Sequence, residues 1–95
     1  MKLVWSPTSK RHLIAIKEYL IDRNPKAAES VILAIQSSAK AVKKTPFIGR
    51  PGRVESTREL VIQKTSFIIV YAVTEQVEIL AVIHSSRMWP DSFST

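Results

Sequence analysis

The stretch Phe67-Ile-Ile-Val-Tyr-Ala-Val73 decides the fold that this chain can adopt. It carries no charge and consists almost entirely of β-branched and aromatic residues, which suit a pleated strand. Polar residues stand on both sides of it, so the pattern predicts a central strand that is buried on both faces. The segments 58–63 and 77–84 are apolar in the middle and polar or charged towards their ends. We predict that these two segments form the neighbouring strands.

Two helices are predicted before this sheet. Ser6-Pro7 and Asn24-Pro25 each place a capping side chain before a proline that is preset for the first helical position. The first helix should reach about Arg23, and because the second follows at once, the two should form an antiparallel hairpin. Residues 2–5 form a short β-type segment that we expect to join the sheet. The second helix carries an apolar stripe made of Ala28, Val31, Ile32, Ile35, Ala39 and Val42.

The length of 95 residues predicts a single domain that spans residues 1–95. The chain has no cysteine, which excludes disulfides and thiolate metal ligands.

The chain has neither an apolar signal segment nor a run of about 18 apolar residues, so we expect a cytoplasmic protein without membrane contact. His12 and His84 lie far apart without ligand-spaced companions, so no metal site is expected.

The charge is concentrated in the first half of the chain. Residues 1–53 hold eleven Lys and Arg against three Asp and Glu, whereas residues 54–95 hold three against five. A basic half indicates an anionic partner, either nucleic acid or an acidic protein segment. The alternative is a charged helix surface that serves only solubility.

The connector 45–57 contains both glycines of the chain and is expected to be irregular. Arg50 and Arg53 bracket a Pro51-Gly52 turn, whose amides are suited to cradle an anion. The alternative is a tight turn with solvated arginines. On the second helix, Leu33 points about 140° away from the apolar stripe. Such a residue is either a partner contact or an ordinary exposed leucine.

An arginine-and-histidine group is the candidate for chemistry. Arg58 begins one predicted strand, while His84 and Arg87 lie at the end of another, and we expect them on one rim of the sheet. Guanidinium groups suit phosphate or carboxylate recognition, and a histidine can act as a base near neutral pH. The alternative is that His84 is a strand-end residue with satisfied hydrogen bonds, and that Arg58 pairs with a neighbouring acid.

Two further sets of side chains have open roles. Glu59 and Glu78 are expected to pair across strands with Lys64 or Arg58. In the polar tail that follows the last strand, the large aromatic residues either pack back on the body or contact a partner. These aromatic residues are Trp89 and Phe93.

A set of motifs resembles one known family. The motifs are Val4-Trp5-Ser6-Pro7, Ile16-Lys-Glu-Tyr-Leu20, Asn24-Pro25-Lys-Ala-Ala28, Pro46-x-x-Gly49-Arg50-Pro-Gly52-Arg53, Thr57-Arg58-Glu59-Leu60, Val70-Tyr71 and His84-x-x-Arg87-x-Trp89-Pro90. Together they resemble the ParE branch of the RelE/ParE toxin superfamily, the toxic half of type II toxin–antitoxin modules. The resemblance implies an α+β fold in which an N-terminal helical hairpin packs on one face of a small antiparallel β-sheet. It also implies a cognate antitoxin, of ribbon-helix-helix type, whose C-terminal segment lies along grooves of the toxin.

The superfamily contains two activities, and the residues help to choose between them. Its ribosome-dependent mRNA nucleases carry an arginine where this chain has Ile68, and a tail tyrosine or histidine whose nearest counterpart is Phe93. Their strand lysines or glutamate correspond to Glu59 and Val61, and Arg87 alone matches a nuclease arginine. The resemblance therefore implies an inhibitor of DNA gyrase that is not an enzyme and needs no cofactor. The alternative is a ribosome-dependent mRNA interferase, and a third interpretation is a non-toxic basic module that binds nucleic acid.

Each interpretation assigns residues to a role. A nuclease would use Arg58, His84 and Arg87 for catalysis. An inhibitor would contact its target through Arg87, Trp89, Phe93 and Arg58. The antitoxin is expected to bind the excess apolar surface of the helices and the connector arginines, namely Ile14, Tyr19, Ile21, Leu33, Arg50 and Arg53.

Overall fold

The computed structural model describes residues 1–86, so the predicted roles of Arg87, Trp89 and Phe93 lie outside the described residues. The elements follow one another in the order β1 (Leu3–Trp5), α1 (Pro7–Arg23), α2 (Pro25–Lys44), β2 (Arg50–Pro51), β3 (Arg58–Val61), β4 (Phe67–Val73) and β5 (Val77–His84). Neither helix in this part of the chain combines the length and apolar composition needed to cross a bilayer.

The strands form one sheet in the order β1-β5-β4-β3-β2, so β4 is the central strand, as predicted. β3 and β5 flank it in antiparallel orientation, and β2 extends the sheet beyond β3. β1 pairs with β5 in parallel orientation. The expectation of a purely antiparallel sheet is therefore wrong at this edge, because both helices and three strands separate β1 from β5 and no hairpin fixes their direction. The predicted α+β fold is confirmed, with a mixed sheet.

Both helices begin at the predicted caps. The Ser6 Oγ accepts a hydrogen bond from the Ser9 amide at 3.1 Å, and the Asn24 Oδ1 accepts one from the Ala27 amide at 3.2 Å. The Asn24 amide also donates to the Leu20 carbonyl at 2.7 Å, so this one residue ends α1 and begins α2. Because Asn24 is the only residue between the two helices, they form a hairpin.

The core lies between α2 and the sheet. Within the predicted apolar stripe, Ile35, Ala39 and Val42 are buried and pack in one cluster with Ile69 and Tyr71 of β4. On the other face of the sheet, a second buried cluster contains Val70, Ala81 and Ile83. Buried clusters on both faces confirm the prediction for β4, whose residues 68–71 are all buried.

α1 closes the edge of β5 that β1 is too short to cover. β1 pairs with β5 only as far as Ile79. Beyond that point the Ser6 Oγ donates to the Leu80 carbonyl at 3.1 Å, and the Val82 amide donates to the His12 Nδ1 at 3.2 Å. α1 is only slightly buried, since Ser9 is its one buried residue. Polar contacts to the strand edge therefore supplement the modest apolar burial of this helix.

Candidate functional site

The connector between α2 and β3 is tied to the centre of the sheet by Tyr71. The Tyr71 hydroxyl donates to the Pro46 carbonyl at 2.8 Å and accepts from the Gly49 amide at 2.9 Å. A Cβ at Gly49 would lie 2.6 Å from this hydroxyl oxygen, so the close approach requires glycine here. Burial raises the pKa of Tyr71, and the Gly49 hydrogen bond and the charge of Arg58 offset only part of that effect. The hydroxyl therefore stays protonated and holds the connector in place.

The turn that was predicted to cradle an anion with its amides holds the Glu59 carboxylate through one amide and two guanidinium groups, whereas the Gly52 amide donates to the Thr57 carbonyl. The Arg53 amide donates to the Glu59 Oε2 at 2.7 Å, and the Arg53 Nε lies 3.3 Å from the same oxygen. The Arg50 Nη2 and Nε donate to Oε1 at 3.0 and 3.3 Å. The Glu59 side chain is 2% exposed, whereas those of Arg50 and Arg53 are 55% and 47% exposed. The alternative of a tight turn with solvated arginines is therefore incomplete, because both guanidinium groups contact Glu59 while about half of each side chain stays exposed.

The expected pairing of Glu59 with Lys64 or Arg58 is also wrong, and the strand register explains why. Arg50 lies directly opposite Glu59 across the β2–β3 pair. Arg58, the residue next to Glu59 in the same strand, points to the opposite face of the sheet.

Burial and hydrogen bonding have opposite effects on this carboxylate. Burial raises the pKa of Glu59, but the bonds from the Arg53 amide and from the two guanidinium groups outweigh it. The pKa of Glu59 therefore lies below its usual value, and the carboxylate is charged at neutral pH.

Arg58 is held by the connector, and within residues 1–86 it forms no ion pair with an acid, so the alternative of an acidic neighbour finds no support there. Its Nη1 donates to the Gly49 carbonyl at 2.6 Å. Its Cζ lies 4.8 Å from the centroid of the Phe47 ring, within the range of a cation–π contact. Arg58 thus contacts both the backbone of the connector and the Phe47 ring, and it stabilises the position of that ring.

His84 lies at the end of β5 and contacts its neighbours there, while its use as a base stays a prediction. Its ring meets that of Phe67 edge to face, with centroids 5.4 Å apart. The Nδ1 accepts from the Ser86 amide at 3.2 Å and lies 2.7 Å from the Ser86 Oγ. These contacts satisfy one nitrogen of the ring at the end of β5.

The sheet does not bring Arg58 and His84 together. Arg58 lies opposite Tyr71, at one end of β4, while His84 lies opposite Phe67, at the other end. The two positions are four residue steps apart, which corresponds to roughly 13 Å along the strand. The expectation of one shared rim is wrong, because the start of β3 and the end of β5 meet opposite ends of β4 in an antiparallel arrangement.

The helix residues predicted to contact an antitoxin are all exposed, although their role stays a prediction. They are Ile14, Tyr19, Ile21 and Leu33. Ile14 borders an open groove of about 600 Å³ between β1 and the two helices. The other residues that line this groove are Leu3, Trp5, Lys10, Leu13, Gln36, Ala39 and Lys40. The groove is therefore mostly apolar, with two lysines among its lining.

Sequence reasoning missed the exposed pair Phe47 and Ile48, which are 66% and 52% exposed. The available signal was an apolar pair inside a connector that has no helix or strand pattern. Residues 1–86 contain no group of three His, Asp or Glu side chains that could hold a metal ion. The exposed groups of this region are apolar side chains and guanidinium groups.

The fold is that of the toxin class suggested by the sequence motifs. It matches a chain of the solved structure described as "Chromosomal ParDE TA system from P. aeruginosa" with a TM-score of 0.81, at 23% identity and with 88% of this chain and 95% of that chain covered. A curated relative from Sinorhizobium fredii (strain NBRC 101917 / NGR234), named "Putative toxin Y4kP", is 38% identical over 89 residues, which cover 94% of this chain and 93% of the relative.

Residues 3–89 match the family described as the ParE toxin of type II toxin-antitoxin system, parDE. The chain belongs to this ParE toxin family, and the resemblance stated from its motifs is confirmed.

Proposed function

We propose that this ParE-family toxin arrests growth by binding DNA gyrase in the cytoplasm, and that it breaks no bond itself. Membership of the family supports a growth-inhibiting role. The observation that favours binding over cleavage is the separation of Arg58 from His84 along the length of β4.

In-line cleavage of RNA needs positive charge and a proton acceptor at the same phosphate. Arg58 is bonded to the Gly49 carbonyl, roughly 13 Å along the sheet from His84, so these two groups do not converge on one phosphate. Ile68, which stands where the resemblance places a nuclease arginine, is a buried apolar side chain. This arrangement supports an inhibitor that acts by occupancy.

The order of cellular events tests the proposal. After induction of the toxin alone, we expect a DNA-damage response and altered plasmid supercoiling before translation falls. Purified toxin should also inhibit supercoiling by purified gyrase. Site-specific cleavage of translated mRNAs that disappears with Arg87→Ala would instead identify an mRNA interferase. Salt-sensitive nucleic-acid binding without growth arrest would identify the non-toxic basic module.

A cognate antitoxin of ribbon-helix-helix type is proposed to neutralise the toxin by laying an amphipathic segment in the groove between β1 and the helices. The apolar lining of the groove, which includes Trp5, Leu13 and Ile14, fits one face of such a segment. Lys10 and Lys40 in the lining complement carboxylates on its polar face. Apolar burial contributes about 25 cal/mol per Å².

Arg50 and Arg53 stay predictions as antitoxin contacts. Glu59 already occupies the inner side of both guanidinium groups, so an antitoxin carboxylate would have to meet their exposed outer sides. Co-expression tests the whole partnership, since a short neighbouring gene that encodes the antitoxin should restore growth and yield a purifiable complex. Unimpaired growth on overexpression of the toxin alone would contradict the proposed function.

A further inference from the structure

The connector apex, defined as Phe47 and Ile48, holds two large apolar side chains in solvent. They are 66% and 52% exposed, and they adjoin each other at the turn between α2 and β2. A single exposed apolar residue is ordinary on a protein surface. An adjacent exposed pair that includes an aromatic ring is typical of the centre of a protein interface.

The apex is held rigidly, although it lies in an irregular segment. The Thr45 amide donates to the Ala41 carbonyl at 2.8 Å, and the Ile48 amide donates to the Thr45 carbonyl at 3.1 Å. Tyr71 fixes the backbone on both sides of the pair through Pro46 and Gly49. Ordering of this backbone is therefore complete before a partner arrives, which lowers the entropic cost of binding.

Arg58 supports the apex from below. It bonds the Gly49 carbonyl and contacts the Phe47 ring, so the ring cannot turn inward without losing this cation–π contact. Arg58 is one of the residues that the sequence predicts to contact the target. In the structure the Arg58 guanidinium holds the apex in position, and the apolar side chains of Phe47 and Ile48 supply the exposed contact area.

The sequence on both sides of the apex is basic. Residues 40–59 hold six Lys and Arg against two Glu, a surplus of four out of the net charge of +6 of the whole chain. Arg50 and Arg53 keep about half of their side chains exposed although both contact Glu59. An apolar pair within a basic surround complements an apolar pocket with acidic residues around it.

We propose that the connector apex is a target-binding surface of the toxin, and that it inserts into an apolar pocket on an acidic protein surface. The inference rests on the proposed function, which identifies that protein as gyrase. Phenylalanine is one of the aromatic residue types that are enriched at protein–protein interfaces relative to the rest of the surface. Ile48 decides against nucleic acid as the occupant, because an aliphatic side chain beside the ring offers no stacking surface to a base.

The test compares the double variant Phe47→Ser/Ile48→Ser with the wild type. Its affinity for purified gyrase should fall by at least about thirtyfold, the factor that corresponds to one strong interface residue. Growth inhibition should be lost, while affinity for the purified antitoxin stays within about twofold. The wild-type association rate with gyrase should fall as ionic strength rises, because the surround is basic.

Val61→Thr is the matched control, because Val61 is another partly exposed apolar residue on β3 and threonine keeps its branched shape. Thermal unfolding of each variant checks that the fold is intact. Unchanged gyrase affinity in the double variant, or an equal loss in Val61→Thr, would overturn the inference.

The remaining outcomes also either support or overturn the inference that the apex binds the target. If wild-type toxin fails to bind gyrase, the proposed target is wrong, and growth inhibition then decides the role of the apex. If the double variant then loses growth inhibition but keeps its antitoxin affinity, the apex binds another protein target. If the double variant still inhibits growth fully, the apex is not a target-binding surface. A parallel loss of antitoxin affinity would assign the apex to the antitoxin. If a labelled single-stranded oligonucleotide binds the wild type and not the double variant, the acidic protein surface is the wrong partner.

Discussion

The Tyr71 hydroxyl and the Gly49 amide lie 2.9 Å apart, so a side chain of the central strand directly fixes the connector that leads to the sheet edge. The same oxygen donates to the Pro46 carbonyl, three residues earlier in the connector. A single buried oxygen thus satisfies two backbone groups on either side of Phe47 and Ile48.

The first prediction concerns this hydroxyl. Tyr71→Phe should lower the free energy of unfolding by about 1–3 kcal/mol, because it leaves the Gly49 amide and the Pro46 carbonyl without their partner. Urea unfolding measures the change. Tyr19→Phe is the control, because that ring is exposed on α1 and its hydroxyl is accessible to water. Equal stability of Tyr71→Phe and the wild type would contradict the structural role of this bond.

The second prediction concerns the close approach at Gly49. Gly49→Ala should destabilise the toxin by about 1–3 kcal/mol, because the added Cβ would meet the Tyr71 hydroxyl oxygen at 2.6 Å and the Glu59 carbonyl oxygen at 2.8 Å. Combining it with Tyr71→Phe removes one of these obstacles. The double variant should therefore lose less stability than the two single losses added together. Strict additivity would show that the two residues do not interact.

The third prediction is a dependence of stability on pH that arises from Glu59. Its pKa is lowered in the folded state, so the carboxylate stabilises the fold above the unfolded value, near 4.5, and this contribution is lost as pH falls through the folded pKa. Unfolding free energies between neutral pH and about pH 3 should therefore fall more steeply for the wild type than for Glu59→Gln. Glu75→Gln, at an exposed position, should follow the wild-type curve. Parallel curves for all three proteins would exclude a linked role for Glu59.

The fourth prediction tests the proposed antitoxin groove. Ile14→Lys should weaken antitoxin binding by at least about tenfold, because it replaces apolar lining with a third positive charge beside Lys10 and Lys40. Ala15→Lys adds the same charge at the next exposed position of α1, outside the residues that line the groove. Calorimetric titration of the antitoxin distinguishes the two variants. Equal weakening by both would indicate a general charge effect, and no weakening by Ile14→Lys would place the antitoxin elsewhere.

The fifth prediction concerns the tail residues, which lie outside the described part of the chain. Arg87→Ala, or deletion of residues 91–95, should abolish growth inhibition while antitoxin affinity is retained. The reason is the combination of Arg87 with Trp89, because arginine and tryptophan are enriched at strong binding contacts, together with the aromatic Phe93 in the same tail. Trp89→Ala distinguishes the alternatives. A lower melting temperature with a proportional loss of both activities would assign the tail a structural role.

Local patterns in the sequence were sufficient to predict the elements of the fold. The uncharged run 67–73 is the central strand, and Ser6 and Asn24 begin the helices through the hydrogen bonds expected of capping residues. Such signals depend on only a few neighbouring residues, so they can be recognised without knowledge of the tertiary contacts. The apolar stripe of α2 is predictable for the same reason, because one helix face meets one sheet.

Contacts that depend on strand register could not be predicted in this way. The register places Arg50 opposite Glu59 and turns Arg58 to the other face, and it also separates Arg58 from His84. A sequence shows which residues are charged, but the face and the strand end on which they meet depend on pairings between distant segments. The parallel pairing of β1 was missed for the same reason.

The hydrogen bond from the Val82 amide to the His12 ring gives α1 an observable of its own. This amide lies inside a strand, yet its partner belongs to a helix, so its exchange with solvent deuterium reports whether α1 is seated. Amides of β5 that bond to β4 stay protected when the helix lifts, since their partners belong to the sheet. Comparison of the exchange rate at Val82 with the rates of those neighbours therefore measures the opening of α1 alone, in the free toxin and in any complex that presses the helix down.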